Sequence, residues 1–161
     1  MANKLVVGIA DMCVSKDPAA ILITYSLGSC IGVSIYDPVV KVGGLLHLML
    51  PESKIAPDKA EKNPCMFADT GVPLLFKEAY KYGADKQRII IKIAGGAQVM
   101  DASGFFNIGK RNYMALRKIF WKNDVLINKE DIGGNVNRTM RLEIGTGRVY
   151  LKVSDSGEIE L

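Results

Sequence analysis

A chain of 161 residues with 48% apolar and 24% charged residues has the length and balance of one globular domain able to bury a single sizeable core. Its net charge of +4 is spread out, and its aromatics do not interleave with the basic residues, which argues against nucleic-acid binding. No apolar run approaches the roughly 20 residues that span a bilayer, and the N-terminus lacks a signal peptide's long apolar region and cleavage site. Three cysteines, Cys13, Cys30 and Cys65, are an odd number in such a chain and read as free thiols in a reducing cytosol. With no C-x-x-C or H-x-x-x-H spacing, no structural zinc site is expected.

In chain order, residues 4–10 read as a first strand, and residues 11–16 continue it or turn back along it. Asp17-Pro18 is a turn. Three strands follow, at residues 20–25, 30–36 and 42–50. Leu27-Gly28-Ser29 separates the first two, and Asp37-Pro38-Val39-Val40 is a tight loop between the second and third. Residues 51–64 carry three prolines and several lysines and read as a long exposed loop, either a lid over the site or a mobile bystander.

Residues 68–82 turn helical, with Val72, Leu75, Phe76, Ala79 and Tyr82 on one stripe, Thr70 as N-cap, Pro73 in the first turn and Gly83 as the stop. Residues 87–94 form a strand with Ile89-Ile90-Ile91 buried on both faces. The following Lys92-Ile-Ala-Gly-Gly-Ala97 lacks the G-x-x-x-x-G-K-[ST] spacing of a phosphate loop. A second helix covers residues 107–122, capped by Asn107, with Ile108, Asn112, Ala115, Leu116, Ile119 and Phe120 inward and its basic residues on a solvated face. A short strand at 125–128, a turn at 131–135, strands at 139–144 and 148–153 joined at Gly145-Thr-Gly147, and a last strand at 158–161 close the chain. The architecture expected is α+β, an α/β sandwich with mainly antiparallel sheets and two main helices packed on them, as one domain spanning residues 1–161.

The chemistry concentrates on Cys30 and the only histidine, His47. A cysteine directly after Gly28-Ser29 sits where backbone N–H groups are left to hold an oxyanion. With Asp37–Val40 as the loop, Tyr36 pairs with Lys41 and Cys30 lies opposite His47 on one face of an antiparallel pair. A bulge at Gly43-Gly44 would shift the pairing by one and send the two side chains to opposite faces. A neighbouring imidazole takes the thiol proton and generates the nucleophile. A third group should orient the ring: Thr24 is the candidate, with Asp69, Asp101 and Asp131 as carboxylate alternatives. The competing account is a small buried cysteine and a hydrogen-bonded core histidine.

Six segments occur in a recognisable order: Thr24-x-x-Leu-Gly-Ser-Cys30, His47-Leu-Met-Leu-Pro51, Phe67-Ala-Asp-Thr70, Lys92-Ile-Ala-Gly-Gly-Ala97, Asn107-Ile-Gly-x-Arg-Asn112 and Asp131-x-Gly-Gly-Asn-x-x-Arg138. Together they resemble the CheD family, the chemoreceptor glutamine deamidases of bacterial and archaeal chemotaxis. The resemblance implies a Cys–His–Thr site falling on Cys30, His47 and Thr24. It also implies a cysteine-hydrolase fold shared with the cytotoxic necrotizing factor toxins, and regulation through a CheC-type phosphatase. Departures are Phe67 where tyrosine is frequent, Ile132 where threonine is, and Pro73 inside a helix.

The function expected is therefore hydrolytic deamidation of receptor glutamines to glutamate, by Cys30, His47 and Thr24 with backbone support at Gly28 and Ser29, and with no cofactor or metal. The substrate would be the cytoplasmic helices of chemoreceptors, and the enzyme a cytoplasmic monomer, since no apolar helix face is left over. The alternatives are a non-enzymatic chemotaxis adaptor binding receptor or phosphatase, and a small-molecule cysteine amidase.

Overall fold

The computed structural model describes residues 2–98, 107–154 and 156–161. Among the described residues are ten strands and three α-helices. The strands are β1 Asn3–Val6, β2 Asp11–Ser15, β3 Ala20–Leu27, β4 Ile31–Asp37, β5 Val42–Leu48, β6 Ile90–Gly95, β7 Ile127–Ile132, β8 Arg138–Glu143, β9 Val149–Val153 and β10 Glu158–Glu160. The helices are α1 Pro57–Lys62, α2 Ala68–Tyr80 and α3 Ile108–Lys122. Two five-stranded sheets result, ordered β1-β3-β8-β9-β10 and β2-β5-β4-β6-β7. Only β1–β3 and β6–β7 pair in parallel, so the mixed, mainly antiparallel α+β class expected from the sequence is the one found.

The layers follow from which faces are apolar. All seven residues of β4 and all seven of β5 are buried, so the second sheet is covered on both sides. On one side Val33, Leu46 and Ile93 pack against Leu75 of α2 and Leu116 and Phe120 of α3. On the other, Tyr36, Leu45 and Ala94 meet Leu22, Leu27, Leu142 and Leu151 of the first sheet. Each such buried side chain contributes about 1.5–3 kcal/mol relative to exposure. The Tyr36 hydroxyl donates to the Ile144 carbonyl at 2.8 Å, satisfying the one polar atom that this residue carries between the sheets.

Several local expectations change. Residues 4–10 and 11–16 are neither one strand nor a local hairpin: β1 belongs to the first sheet, and the chain then crosses to the second, where β2 pairs antiparallel with β5. Ala10, at φ 57°, makes the turn between them. The segment 51–64 is not a loop throughout. It holds 3₁₀ turns at Ser53–Ile55 and Pro64–Met66 around α1. Pro57 and Pro64 occupy first helical positions, where the missing N–H costs nothing. Asn63 Nδ2 donates to the Ala10 carbonyl at 3.1 Å, and Asp69 accepts from Ser53 N and Oγ at 2.9 and 2.7 Å, which ties the segment down at both ends.

The first long helix begins earlier than Thr70. Phe67 takes the cap position, Thr70 Oγ1 donates to the Pro64 carbonyl at 2.6 Å, and Pro73 falls in the helix interior. Asn107 does precede α3, but at φ 49° it makes no side-chain cap bond, and its Oδ1 accepts from Gln98 Nε2 at 2.6 Å. The turn expected at 131–135 begins later, because β7 runs through Ile132 and the chain reverses at Gly133 and Gly134, with φ of 90° and 74°.

Candidate active site

The hairpin that carries Cys30 and His47 is present with its register shifted by two. Asp37 pairs with Val42 and Gly32 with His47, so the four-residue loop is Pro38–Lys41 rather than Asp37–Val40. Asp37 belongs to the strand because its carboxylate organises the loop from below. It accepts from Val39 N at 2.9 Å and Val40 N at 3.5 Å, while Lys41 turns the chain at φ 54°. Arg88 grips the same carboxylate through Nε at 3.1 Å and Nη2 at 2.8 Å, and Asp85 N donates at 2.9 Å. Burial pushes the Asp37 carboxyl up, but Arg88 and these three N–H groups hold it below the usual carboxylate range.

A shift of two preserves the face, whereas a shift of one would have reversed it. Continued one step beyond Ile31–Leu48, the register sets Cys30 opposite Met49 and diagonal to His47. Diagonal neighbours on one face lie about 7–8 Å apart at Cα, within reach of two side chains that lean together. Both residues belong to the face that meets the first sheet, where a Cβ on the intervening Gly32 would touch Leu27 and Met140.

Thr24 reaches His47 from that opposing sheet. Its Oγ1 lies 2.7 Å from His47 Nδ1 and donates to the Val7 carbonyl at 2.7 Å. A carbonyl can only accept, so the single hydroxyl proton is committed to Val7 and Oγ1 must accept from Nδ1–H. This assigns the neutral tautomer: Nδ1 carries the proton and Nε2 the lone pair. His47 and Thr24 are both fully buried, and Nε2 has no hydrogen-bond partner among the described residues. Of the carboxylates that compete with Thr24, Asp69 is spent on Ser53 and Asp131 pairs with Arg138 Nη2 at 2.9 Å. Asp101 lies outside the described residues.

Burial lowers the His47 pKa from 6.5 to about 4. Burial also raises the Cys30 thiol, an effect its own N–H partly offsets. Both shifts disfavour charge, so the resting groups at neutral pH are a thiol and a neutral imidazole rather than an ion pair. Cys30 is half-buried, whereas Cys65 is buried. Cys13 sits opposite Leu45 on β2 and is also diagonal to His47 on the face toward the first sheet, but it lies within a strand rather than at a turn.

The turn before Cys30 is held from three directions. A bulge places three steps of β3 from Thr24 to Leu27 against two of β8 from Met140 to Arg138, with Ser26 at φ 60°. Gly28 N donates to the Ser26 carbonyl at 3.0 Å, so Gly28 does not offer the oxyanion donor expected of it. Its carbonyl instead accepts from Ala97 N at 2.8 Å, and the Cys30 carbonyl accepts from Gly96 N at 3.0 Å. The N–H groups of Ser29 and Cys30 meet no backbone acceptor among the described residues. Gly95, at φ 122°, passes so close that a Cβ there would overlap the Cys30 carbonyl oxygen. The Gly95-Gly96 pair is thus a backbone clamp on the cysteine turn.

Two side chains missed as site residues complete the clamp. Asn112, fully buried on α3, donates through Nδ2 to the Ser29 carbonyl and the Met49 carbonyl, each at 2.9 Å. It thereby fastens the cysteine turn to the end of the histidine strand. An asparagine inside an otherwise apolar stripe was the signal for it. Arg138 donates through Nη1 to the Gly95 carbonyl at 3.3 Å and through Nη2 to Gly133 and Asp131 at 3.0 and 2.9 Å. Five of the six sequence segments therefore converge on one turn and one ring.

No cluster of three or more His, Cys, Asp or Glu side chains that could hold a metal ion occurs among the described residues. No helix among them is long and apolar enough to cross a membrane.

Comparison with known proteins adds an independent line. The family model described as CheD chemotactic sensory transduction matches residues 49–153, beginning two residues after His47. Pairwise similarity extends further. The chain is 59% identical over 150 residues, 93% of its length and 94% of the relative's, to a probable chemoreceptor glutamine deamidase CheD 1 of Syntrophus aciditrophicus (strain SB). It is 52% identical over 150 residues, 93% and 89% of the two chains, to a probable chemoreceptor glutamine deamidase CheD of Solibacter usitatus (strain Ellin6076). A like-named protein of Syntrophotalea carbinolica is 43% identical over 161 residues and 99% of each chain. Matches of this length necessarily run through Thr24, Cys30 and His47.

Proposed function

The chain belongs to the CheD family, and from that premise we propose that it is a chemoreceptor glutamine deamidase acting through Cys30, His47 and Thr24. The observation that carries the residue assignment is the relay from His47 through Thr24 to Val7, which leaves an unpartnered lone pair on Nε2 on the face shared with Cys30.

The reaction begins with Cys30 Sγ attacking the carboxamide carbon while His47 Nε2 takes the thiol proton. Because thiol and ring are both neutral at rest, proton transfer accompanies attack instead of preceding it. The new imidazolium keeps its Nδ1–H on Thr24 Oγ1, which fixes the ring plane through both steps. The N–H groups of Ser29 and Cys30 receive the oxyanion, and each such donor is worth about 10²–10³ in rate. His47 returns its proton to the departing ammonia, leaving a thioester. It then takes a proton from water as the hydroxide attacks and returns it to the departing Cys30 sulfur as the intermediate collapses, releasing the glutamic acid side chain, which ionises to glutamate, and the Cys30 thiol. Each turnover converts a neutral amide on a receptor helix into a carboxylate. Like charges added to packed helices shift their balance, which is the signalling consequence. Regulation by a CheC-type phosphatase and a cytoplasmic setting belong to the same proposal and rest on the family resemblance.

The test is mass spectrometry of a chemoreceptor fragment incubated with the protein, with Cys30→Ala and with His47→Asn. Glutamine-to-glutamate conversion is expected with the unaltered protein alone. Conversion by Cys30→Ala would overturn the nucleophile. An adaptor would convert nothing in any arm, and a small-molecule amidase would release ammonia from free amides but leave the fragment unchanged.

A further inference from the structure

Helix α3 turns Gly109, Asn112, Leu116 and Phe120 inward and presents an unusual outer face. Its 15 residues carry Lys110, Arg111, Arg117, Lys118 and Lys122 and not one carboxylate. Arg117 lies over the Tyr113 ring at 5.7 Å, but none of the other four forms an ion pair among the described residues. Like charges at i, i+4, such as Lys118 and Lys122, disfavour the helix, so helix stability does not account for the pattern. Between these cations stand Met114 and Trp121, seven residues apart on one face and 55% and 79% exposed. The expectation that no apolar helix face is left over fails here. A groove runs between this face and the Ser53–Ile55 turn, lined by Lys54, Ile55, Lys110, Arg111, Met114 and Lys118. The one carboxylate in its lining, Glu52, is neutralised by Lys54 at 2.9 Å.

We propose that this face docks an acidic amphipathic helix, namely the receptor segment that carries the target glutamine. The proposal rests on the deamidase reading above and supplies its substrate-recognition surface. Charge complementarity selects carboxylates, and the exposed Met114 and Trp121 select a partner with apolar residues between them. The inner side of the same helix holds the cysteine turn through Asn112, so the docking face and the nucleophile are joined by one rigid element. At about 1.5 Å per residue α3 offers a ridge of about 22 Å, which is about four turns of a partner helix. Two exposed apolar side chains are too few to bury a helix in a lipid surface, and a single tryptophan gives no stacking platform for nucleotides.

Trp121 is the chain's only tryptophan, so its emission reports docking without a label. The Cys30→Ala protein is titrated with a helical peptide of about 20 residues, with glutamates flanking one glutamine, and with the same peptide bearing glutamines in place of those glutamates. Saturable emission change is expected with the acidic peptide, weaker by about tenfold for the neutral one, for the combined Lys110→Glu, Arg111→Glu and Lys118→Glu protein, and in molar salt. Lys152→Glu, on the far sheet, should bind as the parent does. With Cys30 intact, the triple variant should raise KM by about tenfold and leave kcat unchanged, the signature of lost uniform binding. Equal affinity for the two peptides, an unchanged KM in the triple variant, or equally tight binding of anionic vesicles or a DNA duplex would overturn the proposal. Docking of the acidic peptide without any deamidation would contradict the deamidase reading alone. Deamidation indifferent to the triple variant would contradict the docking face alone.

Discussion

His47 couples the chemistry of the site to the stability of the fold, and acid should expose the coupling. The ring is fully buried, with its pKa lowered from 6.5 to about 4. In the unfolded chain it titrates near its ordinary value of about 6.5. Between those two values the unfolded state takes up a proton that the folded state refuses. Stability is therefore complete above about pH 7, declines as pH falls through 6.5, and has lost the whole histidine contribution by about pH 4. At about 1.4 kcal/mol per pH unit between 6.5 and about 4 the loss is at most about 3.5 kcal/mol, a large share of the roughly 5–15 kcal/mol that holds a typical domain together. Urea unfolding of the parent protein and of His47→Asn, followed from about pH 8 to about pH 4, isolates the effect, because the carboxylates titrate alike in both. The asparagine variant should be less stable at neutral pH, and the gap should close as acid is added. Two curves that stay parallel would refute the account of a neutral, desolvated ring. The same displacement puts the acid limb of kcat/KM near pH 4, well below the pH at which a solvated histidine would lose activity.

Other perturbations follow from the geometry. Thr24→Val keeps the side-chain shape but strands the His47 Nδ1–H and the Val7 carbonyl, so kcat should fall by about a hundredfold with KM unchanged, and Thr24→Ser should restore most of it; full activity in the valine variant would remove Thr24 from the site. Gly95→Ala forces a Cβ onto the Cys30 carbonyl at a φ of 122°, and should cost about 1–3 kcal/mol in denaturant unfolding together with most of kcat; a silent substitution would mean the clamp is slack. Arg88→Ala leaves the buried Asp37 carboxylate without its cation at the hairpin end remote from Cys30, so Tm should drop while kcat at low temperature is retained.

The sequence made the site partly legible, and the limits are physical. Strand-like apolar runs around Cys30 and His47 announced a hairpin, and parity of register was enough to put both on one face even though the loop was misplaced by one residue and the pairing by two. What displaced it was a side chain acting at a distance: Asp37 takes Arg88 and Asp85 N from beyond the hairpin, a tie that no local turn rule contains. Thr24 was nameable as a candidate, yet its partner Val7 is a backbone carbonyl on a crossing segment that composition does not mark. The bulge at Tyr25-Ser26 breaks an unremarkable apolar strand with no glycine or proline to betray it. Asn112 was visible as a polar residue in an apolar helix stripe, but only the folded chain brings Ser29 and Met49 to it. The prolines of residues 51–64 misled because proline punctuates loops and opens helices equally well.

The central claim, that Cys30 attacks the receptor amide with His47 as its base, is tested most directly by catching the covalent intermediate. A receptor fragment mixed with the protein and quenched in acid within one turnover should yield a single modified peptide, the one containing Cys30, carrying the mass of the fragment less ammonia as a hydroxylamine-sensitive thioester. His47→Asn should carry none. Ammonia release with no adduct at Cys30, or an adduct at Cys13 or Cys65 instead, would contradict it.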